Sequence, residues 1–468
     1  MAIEWTGESP ELLLPLDRGS GVPLGDQLQG ALREAIRAGR LRPGERLPST
    51  RRLAEDLRVS RGLVVAVYEQ LVAGGYLVSR PGGATRVAAA TPDQPVAQDA
   101  GPSVEKPALE IEFAFGRPDL GSFPRREWLR AMTAALAAAP DSAAGYASPQ
   151  GVPELRDVLA AYLNRVRATR LTPGEVLVCS GYTQGLRLVL ETLARNGHRT
   201  VAVEDPGHLA VREVAGRAGL SLRPVRVDEH GLVVEELAAT DARVAVLTPA
   251  HQSPTGVVLS AARRQQLVAW AAGCDGVVVE DDYDAEFRYD RRAVDALQGL
   301  APAHVVMIGS VSKTLAPALR LGWLGGPPGL VADVVESKRY HDHGTPALDQ
   351  LALAQLLTSG RYDRHLRRMR AHYAARREAL VDALGRLAPQ VRLTGLAAGF
   401  HAVAHLPAGL DEEEVVTAAA ARGVGLAAMR AHRFVLGDHP PQLVLGFGDL
   451  TPERIHRGIS LIANLLRP

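Results

Sequence analysis

The chain has 468 residues, of which 46% are hydrophobic and 22% are charged, so we expect a globular protein of two or three domains. It shows no long apolar run, no basic-then-apolar leader and only two cysteines, so we expect neither a membrane span nor secretion nor a disulfide framework, and a cytoplasmic location. The net charge is +1, but residues 14–90 carry twelve arginines against seven acids, which predicts a polyanionic partner.

The basic N-terminal segment has the pattern of three helices followed by a hairpin. A helix over 24–38 is predicted because an aliphatic residue recurs every four positions, at Leu24, Leu28, Leu32 and Ile36. Ser49 can cap a short helix through Leu57, and a second helix runs from about Arg61 to Ala73. The glycine-rich segment 80–83 lies between two short β-type runs. This order predicts a winged helix-turn-helix over residues 14–88.

The rest of the chain has the pattern of a linker followed by an α/β body. Residues 89–110 are rich in proline and alanine and lack periodicity, which predicts a flexible linker. Over residues 111–468, apolar runs near Val176, Thr200, Ala242, Gly276 and His304 alternate with helical stretches. That alternation indicates a buried, mostly parallel sheet. The segment from about 362 to 468 predicts a smaller α+β subdomain.

Lysine is scarce in this chain. Of its 53 basic residues only Lys106, Lys313 and Lys338 are lysines. Arginine can supply a surface charge, but its guanidinium stays protonated and cannot form a Schiff base with an aldehyde. A primary amine kept at Lys313, among the motifs described next, therefore indicates covalent chemistry. We interpret Lys106 and Lys338 as charges left by chance.

Three motifs follow predicted strands and are compatible with one site. The segment 180–185 (Ser-Gly-Tyr-Thr-Gln-Gly) is a glycine turn before a helix, where backbone N–H groups can hold a phosphate. Asp281 could pair with a protonated pyridine nitrogen, and Tyr283 could reach a ring hydroxyl. Ser310 and Arg320, on either side of Lys313, could bind the same phosphate. Taken singly, each motif is also compatible with an ordinary loop or surface charge.

Together these motifs resemble the fold-type I pyridoxal-phosphate enzymes, the aspartate aminotransferase superfamily, over roughly residues 111–468. The segment 251–256 (His-Gln-Ser-Pro-Thr-Gly) resembles the family's Asn-Pro-Thr-Gly loop, and the motif order agrees. The resemblance implies pyridoxal 5'-phosphate as cofactor, a Schiff base at Lys313, Asp281 on the pyridine nitrogen and Tyr283 on the phenolic oxygen. It implies further cofactor contacts by Tyr182, Thr183, His208, Ser253, Ser310, Ser312 and Arg320, and by Tyr146, which reaches the phosphate of the neighbouring subunit.

The chain departs from that family at three positions. His208 stands where a larger aromatic residue usually stacks on the ring, and Ser253 stands where an asparagine often contacts the ring hydroxyl. Val444 occupies the place of the arginine that binds the substrate carboxylate. Arg430 and Arg433 are the nearby candidates to replace it. These departures predict weak or no transaminase turnover and leave cofactor binding intact.

The N-terminal segment resembles the GntR family of winged helix-turn-helix repressors over residues 15–88. The resemblance rests on the segment 39–54, on Val59-Ser-Arg61, on Tyr68-Glu-Gln-Leu and on the glycine hairpin. It implies a recognition helix in the major groove and a wing at the minor groove. The DNA contacts so implied are Ser49, Thr50, Arg51, Arg61, Arg80 and Arg86.

A GntR-type head joined to an aminotransferase-like body resembles the MocR family of transcription regulators. The resemblance implies a homodimer that binds a double-stranded DNA operator and senses pyridoxal phosphate, an amine or an amino acid. Two alternatives stay open: a pyridoxal-phosphate-dependent aminotransferase with an accessory DNA-binding head, and a body that serves only as a dimerising scaffold. We expect no metal site, because His341 and His343 have no third ligand in view.

Overall fold

The computed structural model describes residues 16–80, 83–89, 109–289 and 294–467. The chain divides into two compact units, Met1–Glu105 and Lys106–Pro468. Most of the predicted linker, residues 90–108, lies outside the described residues. Within the described ranges, no helix is both long enough and apolar enough to cross a bilayer.

The N-terminal unit is a winged helix-turn-helix. Its elements are α1 (Leu24–Arg37), α2 (Thr50–Leu57), α3 (Arg61–Ala73), β1 (Leu77–Val78) and β2 (Arg86–Val87). Two serines set the starts of α2 and α3: Ser49 Oγ accepts from the Arg52 N–H at 3.3 Å, and Ser60 Oγ accepts from the Leu63 N–H at 3.2 Å. The antiparallel pairing of β1 with β2 forms the predicted hairpin. The apolar faces of the three helices meet in one buried cluster, which confirms the predicted pattern.

The C-terminal unit contains the remaining helices and strands. The helices are α4 (Arg125–Ala138), α5 (Pro153–Arg167), α6 (Tyr182–Arg195), α7 (Ala210–Arg217), α8 (Val234–Ala238), α9 (Ala261–Cys274), α10 (Leu297–Leu300), α11 (Pro328–Asp342), α12 (Ala347–Thr358), α13 (Arg361–Leu387), α14 (Glu412–Ala420) and α15 (Pro452–Ile462). The strands are β3 (Ile111–Glu112), β4 (Val176–Cys179), β5 (Thr200–Asp205), β6 (Ser221–Asp228), β7 (Gly231–Leu232), β8 (Val244–Leu247), β9 (Val277–Asp282), β10 (Val305–Ser310), β11 (Gly322–Gly325), β12 (Arg392–Thr394), β13 (His401–His405), β14 (Val424–Gly425), β15 (Ala427–Ala428) and β16 (Gln442–Gly446).

A large mixed sheet forms the centre of this unit, in the order β4-β11-β10-β9-β8-β5-β6-β7. The strands β10, β9, β8, β5 and β6 pair in parallel, as expected from their separation by helices. Strand β11 runs antiparallel between β4 and β10, and β7 returns antiparallel beside β6. Neither β6 nor β11 was among the predicted strands, because β6 is largely solvent-facing and β11 begins and ends with glycine.

A smaller antiparallel sheet lies in the C-terminal part of the unit, in the order β12-β13-β16-β15. Helices α13 and α15 pack on each other beside it, and their buried side chains join the main core. The short strand β3 pairs in parallel with β14, so residues 111–112 contact a segment far along the chain. Sequence periodicity gave no sign of this pairing, since each strand has only two residues.

A buried ion pair fixes the end of β9. Arg167 and Asp282 are joined by two hydrogen bonds of 2.8 and 3.0 Å, and their side chains are only 4% and 3% exposed. The bidentate geometry directs Asp282 away from its neighbour Asp281, which points into the cavity described below. The pair therefore holds the backbone from which Asp281 projects.

Replacing Arg167 with methionine is expected to lower the free energy of unfolding by about 3–5 kcal/mol, because it leaves the Asp282 carboxylate buried without its partner. Denaturant unfolding of the full chain measures the change. The control is Arg217→Met, which breaks the exposed pair with Glu213 and should cost less than about 1 kcal/mol. Equal stability of the two variants would contradict the stabilising role of the buried Arg167–Asp282 pair.

Candidate functional site

One cavity of about 240 Å³ gathers the motifs that follow the strands of the large sheet. It lies where the parallel strands end, the edge at which open α/β sheets bind ligands. All the predicted cofactor residues except Tyr146 line it, together with three that were not predicted: its lining is Phe115, Gly116, Tyr182, Thr183, His208, Ser253, Asp281, Tyr283, Ser310, Ser312, Lys313, Pro317 and Arg320.

Lys313 provides the amine in this cavity. It lies three residues beyond β10, and its Nζ donates to the Gly116 carbonyl at 2.5 Å. Burial lowers its pKa, while the carboxyl groups of Asp281 and Asp284 act in the opposite direction. A lowered pKa leaves more of the amine unprotonated at neutral pH, which is the form that attacks an aldehyde.

Asp281 is a buried carboxyl group that faces the same cavity. Burial, with the nearby carboxyl groups of Asp282 and Asp284, raises its pKa well above the ordinary value, while a hydrogen bond from Tyr182 and the Lys313 ammonium only partly offset this. A raised pKa means that the ionised carboxylate of Asp281 is destabilised, and a ligand with a positively charged ring nitrogen would stabilise it. The site therefore fits a protonated pyridine.

The start of α6 forms a cradle for an anion. Gly181 precedes the helix with φ 106°, and a Cβ added there would lie 3.6 Å from the Arg320 guanidinium nitrogens. Gly322 approaches Gly181 so closely that a Cβ on it would lie 2.6 Å from the Gly181 Cα. Ser310 and Ser312 line the cavity nearby, with the Ser312 N–H 3.4 Å from the Ser310 Oγ. Free N–H groups at a helix start, hydroxyls and a guanidinium suit a phosphate.

Two further lining residues are consistent with a flat ring in the cavity. His208 accepts from the Ala210 N–H through Nδ1 at 3.2 Å, and burial lowers its pKa, so the imidazole is neutral. Its ring lies edge-on to Tyr182, with centroids 5.7 Å apart. Ser253 Oγ is buried and finds no hydrogen-bond partner among the described residues. A ligand oxygen would satisfy it.

The remaining predicted residues of this unit lie elsewhere. Tyr146 is 96% exposed and is not among the residues that line the cavity; its ring lies 6.2 Å from that of His343, between centroids. Val444 is fully buried in β16, in an apolar cluster that includes Phe115. Arg430 and Arg433 line a separate cavity, so in the described structure neither replaces the missing clamp.

The interpretation of Lys338 as a chance charge is wrong. Its side chain is fully buried in α11, and Nζ binds both carboxylate oxygens of Asp342, at 2.8 and 3.0 Å. Asp342 also accepts from the Gln184 side chain at 2.8 Å. The sequence does indicate this ion pair, because Lys338 and Asp342 are four residues apart on one helix. Through Gln184 the ion pair links α11 to α6, the helix that begins at the anion cradle.

In the N-terminal unit, the predicted DNA contacts are exposed or partly exposed. Arg61 is the first residue of α3, while Arg51 lies in the first turn of α2, 3.4 Å from Glu55. The Ser49 hydroxyl caps α2, and Thr50 begins it. The wing arginines Arg80 and Arg86 are exposed; the latter also donates to the Gly44 carbonyl at 2.9 Å. Residues 81–82, between them, lie outside the described residues.

The large mixed sheet, the lysine and the anion cradle define a body of the aminotransferase class. Residues 110–458 match the family described as "Aminotransferase class I and II", and residues 24–87 match "Bacterial regulatory proteins, gntR family". The chain belongs to the MocR-type transcriptional regulators, in which a GntR helix-turn-helix is joined to an aminotransferase-like domain.

Full-length relatives support that membership, and a solved structure supports the aminotransferase fold of the body. The chain is 32% identical over 470 residues to the "Probable rhizopine catabolism regulatory protein MocR" of Rhizobium meliloti, covering 96% of this chain and 94% of the relative. It is 33% identical over 429 residues to the "HTH-type pyridoxine biosynthesis transcriptional regulator PdxR" of Corynebacterium glutamicum, covering 90% and 91%. The body is similar to Pyrococcus horikoshii kynurenine aminotransferase in complex with PMP, with a TM-score of 0.70, 25% identity and coverage of 77% and 91%.

Proposed function

We propose that this transcriptional regulator binds pyridoxal 5'-phosphate through Lys313 and uses it to sense pyridoxal phosphate itself, an amine or an amino acid. The observation that carries the proposal is the convergence of Lys313, Asp281 and the α6 anion cradle in one cavity. A scaffold that never binds the cofactor would not require a buried carboxyl group of raised pKa beside a buried amine.

Each of the ten predicted residues that line the cavity has a proposed role. Lys313 supplies the amine that bonds to the aldehyde, and Asp281 holds the ring nitrogen protonated. Tyr283 and Ser253 contact the phenolic oxygen, and His208 lies against the ring face. The phosphate is held by Thr183, Ser310, Ser312 and Arg320, with Tyr182 beside them at the helix start. When bound, the cofactor supplies an aldehyde and an electron-withdrawing ring.

We propose that the regulator is a cytoplasmic homodimer and that Tyr146 contacts the phosphate bound by the partner subunit. The strong exposure of this tyrosine, 96%, supports a role outside its own protomer. A dimer would also present two heads to two operator half-sites. An effector that binds one form of the body better than another would shift the balance between them and thereby change DNA binding.

The main alternative is an aminotransferase with an accessory DNA-binding head. The retained amine and cradle favour it, whereas Val444, buried in place of an arginine, disfavours it. The rate at which amino acids convert the bound cofactor, followed over one and over many turnovers, distinguishes the two. We expect conversion little faster than with free cofactor, and rapid multiple turnover would favour the enzyme.

Operator binding by the cofactor-loaded chain should fall steeply with salt. Each arginine–phosphate contact releases counterions and contributes about −0.9 to the slope of log affinity against log salt. Fluorescence anisotropy with DNA from upstream of the protein's own gene measures the slope. Arg80→Ala should weaken binding on all sequences and reduce the slope by about one. A slope near zero would contradict recognition of DNA by this head.

A further inference from the structure

Behind the cavity, a histidine and an aspartate that the cofactor roles do not use are joined to Tyr283. His251 lies after β8 and Asp284 follows β9, and their side chains are 0% and 1% exposed. The His251 Nδ1 is 2.8 Å from the Asp284 Oδ2 and 3.1 Å from the Tyr283 hydroxyl. One imidazole nitrogen therefore lies close to both a carboxylate and a phenol.

The chemistry of the carboxylate sets the direction of the first hydrogen bond. An ionised carboxylate can only accept, so the imidazole nitrogen 2.8 Å from it, Nδ1, carries the hydrogen and donates to Asp284. With that hydrogen in place Nδ1 has no lone pair for the Tyr283 hydroxyl, whose own proton is left for another acceptor. Asp284 is one such acceptor, and an oxygen of a ligand in the cavity would be another.

The backbone makes room for this arrangement at Gly399. A Cβ added there would lie 2.2 Å from the Asp284 Oδ2 and 2.6 Å from the His251 Cε1. The residue also has φ +70°, in the left-handed region that favours glycine. The close approach of Gly399 excludes water from the His251–Asp284 pair. Without water the hydrogen bonds of the pair are stronger, so the pair holds the neighbouring hydroxyl in one orientation.

We propose that His251 and Asp284 are positioning residues that direct the Tyr283 hydroxyl proton towards the phenolic oxygen of bound pyridoxal phosphate. The inference rests on the proposed function. By donating to Asp284, His251 reduces the attraction of that carboxylate for the phenol proton. Without the His251 N–H, Asp284 captures the Tyr283 proton, and the cofactor oxygen loses its donor.

A hydrogen-bond donor stabilises a phenolate, so its loss should raise the pH midpoint of the cofactor's visible absorbance change. We expect Tyr283→Phe to raise the midpoint by about one pH unit and His251→Leu to raise it by part of that amount. His251→Asn offers an amide N–H near the position of Nδ1 and should stay close to the wild-type value. His304→Leu is the control, because His304 bonds the Gly276 carbonyl before β10, away from the cavity.

The decisive comparison is the double variant. If His251 acts through Tyr283, His251→Leu should add no further shift in a Tyr283→Phe chain. A further shift of the same size in that background, or an unchanged midpoint in His251→Leu itself, would overturn the proposal. Should His251→Leu fail to fold, His251→Gln alone and in the Tyr283→Phe background gives the same test, because its amide reaches towards the position of Nε2 and leaves that of Nδ1 without a donor.

The absorbance of the wild-type chain distinguishes failure of the positioning role from failure of cofactor binding. If that chain shows no visible absorbance with pyridoxal phosphate, the proposed function fails, whereas normal absorbance with unshifted variants sinks only the positioning role. His401 lies close to the pair, and ligand atoms of all three residues fall within 4.8 Å of one another. A rise in melting temperature of the cofactor-free chain with Zn²⁺, lost in His401→Leu, would replace the positioning role with a metal centre.

Discussion

Lys313→Ala is expected to abolish the visible absorbance that the chain acquires with pyridoxal phosphate. The substitution removes the amine proposed to bond to the aldehyde, and Lys338 is buried and paired with Asp342, so we do not expect it to replace that amine. Because the anion cradle at α6 is untouched, the variant should still bind the cofactor, but reversibly and more weakly. Absorbance spectra before and after desalting measure both effects.

The matched control is Lys106→Ala, which removes the same chemical group from a position without the motifs that surround Lys313 in the sequence. It should retain full absorbance after desalting. The helix-turn-helix unit has its own core, so circular dichroism of Lys313→Ala should keep the helical signal. Wild-type absorbance in Lys313→Ala would refute the assignment of the amine.

Arg61→Ala is expected to weaken operator binding about tenfold or more. Arg61 begins α3, the second helix of the helix-turn-helix pair, and it is exposed. The N-terminal residues of such a helix lie nearest the base edges when it enters the major groove. The same binding assay, run at one fixed salt concentration, measures the loss.

Arg40→Ala controls for the loss of one positive charge, because Arg40 is exposed in the turn after α1. It should change affinity much less than Arg61→Ala, and neither variant should alter cofactor absorbance. Equal losses in the two variants would mean that Arg61 contributes only general charge, and undiminished binding would remove it from the DNA contacts.

Local signals made the helix-turn-helix predictable. Ser49 and Ser60 sit where a hydroxyl can cap, and the helices after them begin at the expected residues. Strands β4, β5, β8, β9 and β10 were predictable for a similar reason, since buried strands need continuous apolar runs. By contrast, β3 and β14 depend on a long-range pairing between two-residue segments, which no local pattern encodes.

The cavity residues also divide into those with a local sequence pattern and those that depend on long-range contacts. Its predicted residues come from short motifs at strand ends, which parallel topology brings to one edge. Phe115 and Gly116 reach the cavity from a segment without a recognisable motif. His251 and Lys338 gain their roles from partners in three dimensions, Asp284 and Asp342. From composition, Lys338 is interpreted as a charge left by chance, whereas it is buried in an ion pair.

The most direct test of Lys313 as the cofactor-binding lysine is to fix the cofactor in place chemically. Borohydride reduces a Schiff base between a lysine and the cofactor to a stable secondary amine. Peptide mapping by mass spectrometry then locates the modified lysine. We predict a phosphopyridoxyl group on the peptide that contains Lys313. Modification confined to the peptides of Lys106 or Lys338, or to none, would contradict that prediction.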